Sequence, residues 1–264
     1  MAEIRVLDKH TAELIAAGEV VERPASVAKE LLENAIDAGA TQITLSAVRG
    51  GIAQLQIADN GTGIEAEYID KAFIRHATSK IATADDLGHI HTLGFRGEAL
   101  ASIASVAKVE VLTRTETDEY ACCYRIEGGE PQGIEPGARP VGTTITVNDL
   151  FYNTPARMKF LKKDASEGTF VSETVLHAAL SHPEISFRFL RDGKQQFLTP
   201  GDGDLRSTVY AVLGREFARD LLPVDGGSEL YKVTGLVTPP RACRASRGAQ
   251  HFFVNGRYVK NRTM

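Results

Sequence analysis

Four side chains able to handle a proton, a metal ion or a hydrogen-bond donor lie close together in KELLENAIDAGA, residues 29–40: Glu30, Glu33, Asn34 and Asp37. At about 100° per residue they fall inside an arc of roughly 100°, and Ala28, Leu31, Leu32, Ala35 and Ile36 fill the opposite side. Periodicity alone makes this an ordinary amphipathic surface helix. The charge pattern fits that reading poorly. A wet helix face profits from Glu-to-Lys pairs four apart, whereas Glu33 and Asp37 form a like-charge pair costing a few tenths of a kcal/mol. Glu30 and Asn34, also four apart, would set a carboxylate beside an amide oxygen. One could activate a water while the other ligates a hard cation such as Mg²⁺.

Two further stretches carry chemistry. DNGTGI, residues 59–64, is a strong turn former, and its glycines could equally bring backbone close to a planar ligand while Asp59 accepts from an exocyclic amine. GFRGEAL, residues 94–100, combines two glycines, Arg96 and a helix start, which suits an anion, although a glycine-rich cap alone explains the same letters. The chain contains no GxxxxGK[ST], no GxGxxG after a strand, no paired HRD and DFG, no GxSxG and no HExxH. These absences exclude the commonest phosphate-binding, kinase, hydrolase and zinc-protease signatures.

The elements that must position these residues follow from pattern. Asp8 is a plausible N-cap for a helix ending near Gly18, and Pro24 and Gly39 bracket the helix that carries the acidic stripe. QITLSAVR and AQLQIAD alternate on either side of Gly50-Gly51, predicting a hairpin that delivers Asp59 to a strand end. Helices are expected at Glu65 to Phe73, Gly97 to Val106 and Ala165 to Leu180. Strands are expected at Lys108 to Arg114, Tyr120 to Glu127, Thr143 to Asn148 and Ile185 to Leu190. The aperiodic residues 75–97 read as a functional lid or a disordered connection. TPGDGD, Thr199 to Asp204, reads as a linker to a second unit made of the helix LRSTVYAVLGREFARDLL and the strands ELYKVTGLVT and QHFFVNG. Strand hairpins with interspersed helices make the class α+β.

At 264 residues, 43% hydrophobic and 24% charged, the chain has the composition of a globular protein with one large domain and part of a second. Cys122, Cys123 and Cys243 form neither a disulfide set nor a CxxC pair, and no stretch has signal-peptide or membrane-spanning character, so a cytoplasmic location is expected. Six cations and no acid lie between Arg241 and Met264, which leaves 24 cations against 34 acids in residues 1–240. A basic end on an acidic body suits a polyanion partner and equally a solvated surface.

Taken in order, ELLEN, DNGTGI, RHATSK, GFRGEAL and GTT (Gly142 to Thr144) resemble the ATP-binding signature of the GHKL superfamily, which includes gyrase B, Hsp90, histidine kinases and MutL. Within it, IAAGEVVERPASV, RHATSKI, LGFRGEALASI and DLFYNTPAR resemble the MutL family of DNA mismatch-repair proteins, with the likeness running to VNGR at residues 254–257. The resemblance implies a Bergerat-type sandwich, a mixed and mostly antiparallel sheet with helices on one face, in residues 1–200, then part of a second α/β domain in 206–264. It implies ATP and Mg²⁺ as ligands, Glu30 as the catalytic base and Asn34 as the Mg²⁺ ligand. Asp59 would hold the adenine amine beside Gly61 and Gly63, supported by Thr143. Thr78, Ser79 and Lys80, with Gly94, Arg96, Gly97, Glu98, Ala99 and Leu100, would surround the phosphates. A lysine beyond VNGR would reach the γ-phosphate.

The implied partners are DNA through its backbone, with Arg257 and Arg262 as candidate contacts, a second copy of the chain paired in an ATP-dependent way, a full-length dimer through a C-terminal region, and MutS. Two other readings stay open: a DNA clamp or adaptor in which nucleotide is structural, and the ATPase subunit of a type II topoisomerase, against which the GFRGEAL and NTPAR wording argues.

Overall fold

The computed structural model describes residues 6, 8, 17–18, 20–81, 83, 85–88, 92–94, 97–242 and 247–260. The helix expected at Asp8 to Gly18 falls largely outside them, as do Arg96, Cys243 and Arg262. Helix α1 (Pro24–Asp37) starts on a proline at its first turn and stops at Gly39, whose φ of 71° allows the chain to reverse. Gly39 N–H donates to Ile36 O at 2.9 Å and Ala40 N–H to Ala35 O at 3.2 Å, a Schellman closure that seats Ala40 in the core and aims the chain into β1.

Strands β1 (Gln42–Val48) and β2 (Gln54–Asp59) form the expected hairpin, turned by a short 3₁₀ segment that includes Gly50 and Gly51. A Cβ on Gly50 would strike the carbonyl of Asp164, so the turn is packed closely against the next helical layer. β3 (Lys108–Arg114), β4 (Ala121–Glu127), β5 (Glu130–Gly137), β6 (Gly142–Asn148), β7 (Ser186–Arg191) and β8 (Lys194–Leu198) complete the sheet. Among the described residues its order is β5-β4-β3-β6-β2-β1-β7-β8, antiparallel throughout except for β1 with β7. The mixed, mostly antiparallel sheet expected from sequence is therefore present.

Alternation decides which face is covered. Ile43, Leu45 and Ala47 of β1, Leu55 and Ile57 of β2, and Val109 and Val111 of β3 point into one core with Val27, Leu31 and Ala35 of α1. Helix α2 (Ala99–Ser105) and helix α4 (Asp164–Ser181) share that layer, separated in the chain by the short α3 (Pro155–Phe160). The opposite face pairs polar groups across strands: Gln54 with Asn148, Gln56 with Thr146, and Arg125 with Glu110 and Glu135. Antiparallel sheets commonly leave one face to water in this way.

Several elements differ from expectation. Residues 65–73 form turns ending in a 3₁₀ turn at Lys71–Phe73, because only Ile69 and Phe73 are buried in the core, with Ala72 packed against it, and the Asp70 carboxylate takes the Lys71 N–H that a helix would use. The expected long helix after residue 204 is broken at Gly214, φ 87°, into α5 (Leu205–Leu213) and α6 (Arg215–Arg219). β9 (Leu222–Gly227) pairs with β10 (Lys232–Val237), and β11 (Phe252–Val254) with β12 (Arg257–Val259).

TPGDGD is a structured junction as well as a connection. Buried Thr199 accepts the Phe187 N–H at 2.8 Å and donates to Ile185 O, and Asp204 caps α5 through the N–H groups of Arg206 and Ser207. Val209, Ala218 and Leu221 pack with Leu180 of α4, so residues 205–221 rest on the first layer. Cys122 and Cys123 are buried free thiols on β4, and burial pushes both thiol pKa values up.

Candidate nucleotide site

A cavity of about 1300 Å³ opens between α1, the loop after β2, residues 76–80 and 92–94, the start of α2 and the start of β6. The acidic stripe of α1 faces this cavity. Glu30, Glu33, Asn34 and Asp37 all line it, with side-chain exposures of 26% for Glu30, 15% for Glu33 and 7% for Asp37. The stripe also has cations that the helix wheel did not show. Lys29 Nζ lies 3.0 Å from Glu33 Oε1 and 3.2 Å from Glu30 Oε1, while burial, only partly offset by Lys29, raises the Glu33 pKa.

Asp37, which the sequence left without a role, has the largest share of contacts. Lys80 Nζ sits 2.6 Å from its Oδ2, Leu93 N–H donates to Oδ1 at 2.9 Å and Gly94 N–H to Oδ2 at 3.1 Å. The same ammonium donates to Asn34 Oδ1 at 3.0 Å. One carboxylate thus ties α1 to both ends of the segment expected to act as a lid, and a cation already occupies the amide oxygen expected to hold Mg²⁺.

Asp59 ends β2 at the other side of the cavity. Its Oδ1 accepts the N–H of Gly61 at 2.8 Å and of Thr143 at 3.2 Å, so no protein donor reaches Oδ2 among the described residues. Burial raises the Asp59 pKa, against the lowering effect of those N–H groups and Arg139. Behind it, Thr113 Oγ1 accepts the Ile64 N–H at 2.8 Å and shares a hydrogen bond with Thr143 Oγ1 at 3.2 Å. Arg139 donates to the carbonyls of Asp59 at 2.8 Å and Leu112 at 2.9 Å.

The glycines of DNGTGI are needed by the protein's own backbone. A Cβ on Gly61 would meet Ala38 at 2.8 Å, and one on Gly63, φ 79°, would strike the Arg114 carbonyl. They press the loop onto α1 and β3, and that placement fixes Asp59. Gly97, φ 62°, packs in the same way against Ala77, where His76 N–H bonds Gly97 O at 3.0 Å and His76 Nδ1 lies 3.2 Å from Glu98 Oε1.

All the described residues expected at this site except Gly61 line the one cavity: Glu30, Asn34, Asp59, Gly63, Thr78, Ser79, Lys80, Gly94, Gly97, Glu98, Ala99, Leu100 and Thr143. Residues 22–130 match the family described as histidine kinase-, DNA gyrase B- and HSP90-like ATPase, and residues 209–264 match the C-terminal domain of DNA mismatch repair protein. A DNA mismatch repair protein MutL of Agathobacter rectalis is 48% identical over 261 residues, 99% of this chain and 40% of the relative. Its counterpart in Symbiobacterium thermophilum is 50% identical over 262 residues, 98% of this chain and 41% of the relative. The chain belongs to the MutL family.

The solved ATPase domain of Aquifex aeolicus MutL complexed with ADP superimposes with a TM-score of 0.74 at 29% identity, covering 92% of this chain and 85% of that one. The N-terminal domain of a DNA repair protein superimposes with a TM-score of 0.81 at 28% identity over 96% of this chain and 79% of its own. The fold is therefore that of a GHKL ATPase domain. The chain spans about two fifths of the length of the curated MutL relatives it matches.

Arg257, expected as a DNA contact, is exposed and also reaches this site: its Nη2 donates to Leu93 O at 2.8 Å and Thr92 O at 3.2 Å, and the side chain lines the cavity. No local signal marks Thr113, Arg139 or Arg257 as parts of this site, because each reaches it only through tertiary pairing.

Proposed function

We propose that the cavity binds ATP with Mg²⁺ and hydrolyses it, and that the observation carrying this reading is the pairing of a spare Asp59 oxygen with the acidic α1 stripe across one nucleotide-sized space. Its volume of about 1300 Å³ exceeds the range of about 300–1,000 Å³ usual for small-ligand pockets, leaving room for base, sugar and phosphates. Asp59 Oδ2 suits an adenine amine, which brings a donor and needs an acceptor. The Lys80 ammonium on Asn34 Oδ1 and Asp37 marks a hard-oxygen, cation-accepting position, the donor chemistry Mg²⁺ prefers.

Within that reading, Asn34 holds Mg²⁺, which when bound neutralises phosphate charge and orients the phosphoryl group. Glu30 accepts a proton from the attacking water, and Lys29 beside it keeps its carboxylate placed. Lys80, now on Asn34 Oδ1, would be repelled by a second cation there and attracted by phosphate charge, so it is the group expected to turn toward the phosphates. Thr78, Ser79, Arg96 and residues 97–100 complete the phosphate end, and Thr143 steadies Asp59.

Residues 1–200 act as the ATP-binding domain and 206–264 as part of a second one. ATP serves as a switch for lid closure and pairing of two N-terminal regions, in a cytoplasmic protein that works with DNA and a MutS-type partner. These wider roles rest on family membership. No helix among the described residues is long and apolar enough to cross a membrane.

Replacing Glu30 by Ala in the full-length protein tests the reading: ATP binding is retained and hydrolysis is lost, and unchanged hydrolysis overturns the assignment of the base. Nucleotide binding without any change in self-association or DNA affinity would favour a structural role for nucleotide.

A further inference from the structure

The VNGR segment is a two-residue hairpin. Asn255 and Gly256 have φ of 49° and 77°, and Val254 pairs with Arg257, the type I′ geometry that an Asn-Gly dipeptide supplies. The ribbon is fixed to α4 by the neighbour of Arg257: the Tyr258 ring stacks on His177 at 3.6 Å and 10°, and His177 Nε2 lies 3.2 Å from His251 Nδ1. Phe253 closes the cluster with its edge toward His177, 6.4 Å between centroids. A tight turn and an aromatic clamp therefore fix where Arg257 emerges.

From there Arg257 reaches Thr92 O and Leu93 O, while on the other side of the same backbone Asp37 holds Leu93 N–H and Gly94 N–H. Residues 92–94 are thus a rung gripped from two directions, by a carboxylate on α1 and by a guanidinium on the second unit. An exposed arginine on one carbonyl would be worth little. Here a charged donor serves two successive carbonyls whose peptide N–H groups are already committed, so the contact fixes the orientation of the rung.

We propose that Arg257 is a positioning residue: it holds the 92–94 rung over the phosphate end of the cavity and couples the nucleotide state at Asp37 and Lys80 to the hairpin and α4. The proposal rests on the nucleotide reading above for its consequence, though not for its geometry. Loading the cavity draws Lys80 off Asp37 and Asn34, the Asp37 hold on Leu93 and Gly94 readjusts, and Arg257 passes the change to residues 252–259. Both contacts use Nη2, so the Nε and Nη1 donors of the exposed guanidinium are left to a further anion such as a DNA phosphate.

Hydrogen–deuterium exchange on the whole chain, with and without ATP and Mg²⁺, tests this using Arg257→Met, which keeps the aliphatic stem but no donor, and Arg257→Lys, which keeps charge without the fork. Without nucleotide, Arg257→Met should speed exchange at Leu93 and Gly94 about tenfold, with Arg257→Lys intermediate and the amides of β11, β12 and α4 unchanged. Exchange at Leu93 and Gly94 within twofold of wild type in both variants overturns the proposal. So does equal loosening of β11, β12 and α4 in both, because Arg257 would then merely support the fold. If wild type does not respond to ATP and Mg²⁺, the nucleotide reading fails while the grip of Arg257 on the rung is still read separately in the nucleotide-free samples.

Discussion

Lys80 Nζ lies 2.6 Å from Asp37 Oδ2, joining the C-terminal turn of α1 to a backbone segment more than forty positions away. At 22% and 7% side-chain exposure the pair is screened far less than a surface bridge, and Asp37 also takes two backbone N–H groups. Truncating it strands three donors at once. In Asp37→Ala, proteolytic cleavage around residues 92–94 should rise by about tenfold with a small shift in global Tm. Unchanged cleavage would show that the segment is held by something else.

The pH response of the hairpin follows from His177, whose pKa burial pulls down from the ordinary 6.5 to about 4, helped by neighbouring His251. Burial lowers His251 as well, against a raising effect from Glu173. A depressed folded value means the neutral ring is favoured by the packed state. The stabilisation is full above about pH 6.5 and is lost as pH falls toward 4. Exchange at Phe252 and Val259 should accelerate over that window, and His177→Phe, which keeps a ring against Tyr258, should flatten the response. The same acceleration in the variant would contradict the assignment.

Thr199→Val removes a hydroxyl that both accepts the Phe187 N–H and donates to Ile185 O at a site only 1% exposed. The shape is nearly kept, so the cost is that of an unmet buried N–H and carbonyl, about 1–3 kcal/mol, read by denaturant unfolding. A loss under about 0.5 kcal/mol would mean that the junction is looser than its hydrogen bonds indicate.

Asp59→Asn places an amide NH₂ or a single acceptor where two carboxylate oxygens stood, one already used by Gly61 and Thr143. Affinity for adenine nucleotides should fall at least about tenfold. Affinity of the wild type should also fall as pH drops through the raised Asp59 pKa, above the ordinary 3.8, because the neutral acid is a weaker acceptor and can set an O–H donor against the amine. Equal affinity in Asp59→Asn would remove Asp59 from the base site.

Most of what the sequence made legible is local. The α1 stripe, its Pro24 and Gly39 limits, the β1–β2 hairpin and the arrival of Asp59 at a strand end all follow from spacing within a dozen residues. Strand β5, EPQGIEPG, was missed because two prolines and near-complete exposure are marks of an edge strand and read as turn. β8 was missed because KQQFL shows no alternation on its exposed edge. The orientation of the stripe could not be read from the helix itself, since a wet face and a ligand face have the same periodicity. Contacts spanning 80 residues from Arg139 to Asp59, or 164 from Arg257 to Leu93, leave no trace in local pattern.

The central claim is that the Asn34 face of α1 receives a Mg²⁺-nucleotide, and equilibrium titration of ATP into wild type and Asn34→Ala, each with and without Mg²⁺, tests it most directly. Wild type should bind at least about tenfold more tightly with the metal, and Asn34→Ala should lose that difference while keeping its weaker metal-free binding. An equal Mg²⁺ enhancement in both proteins would contradict the claim.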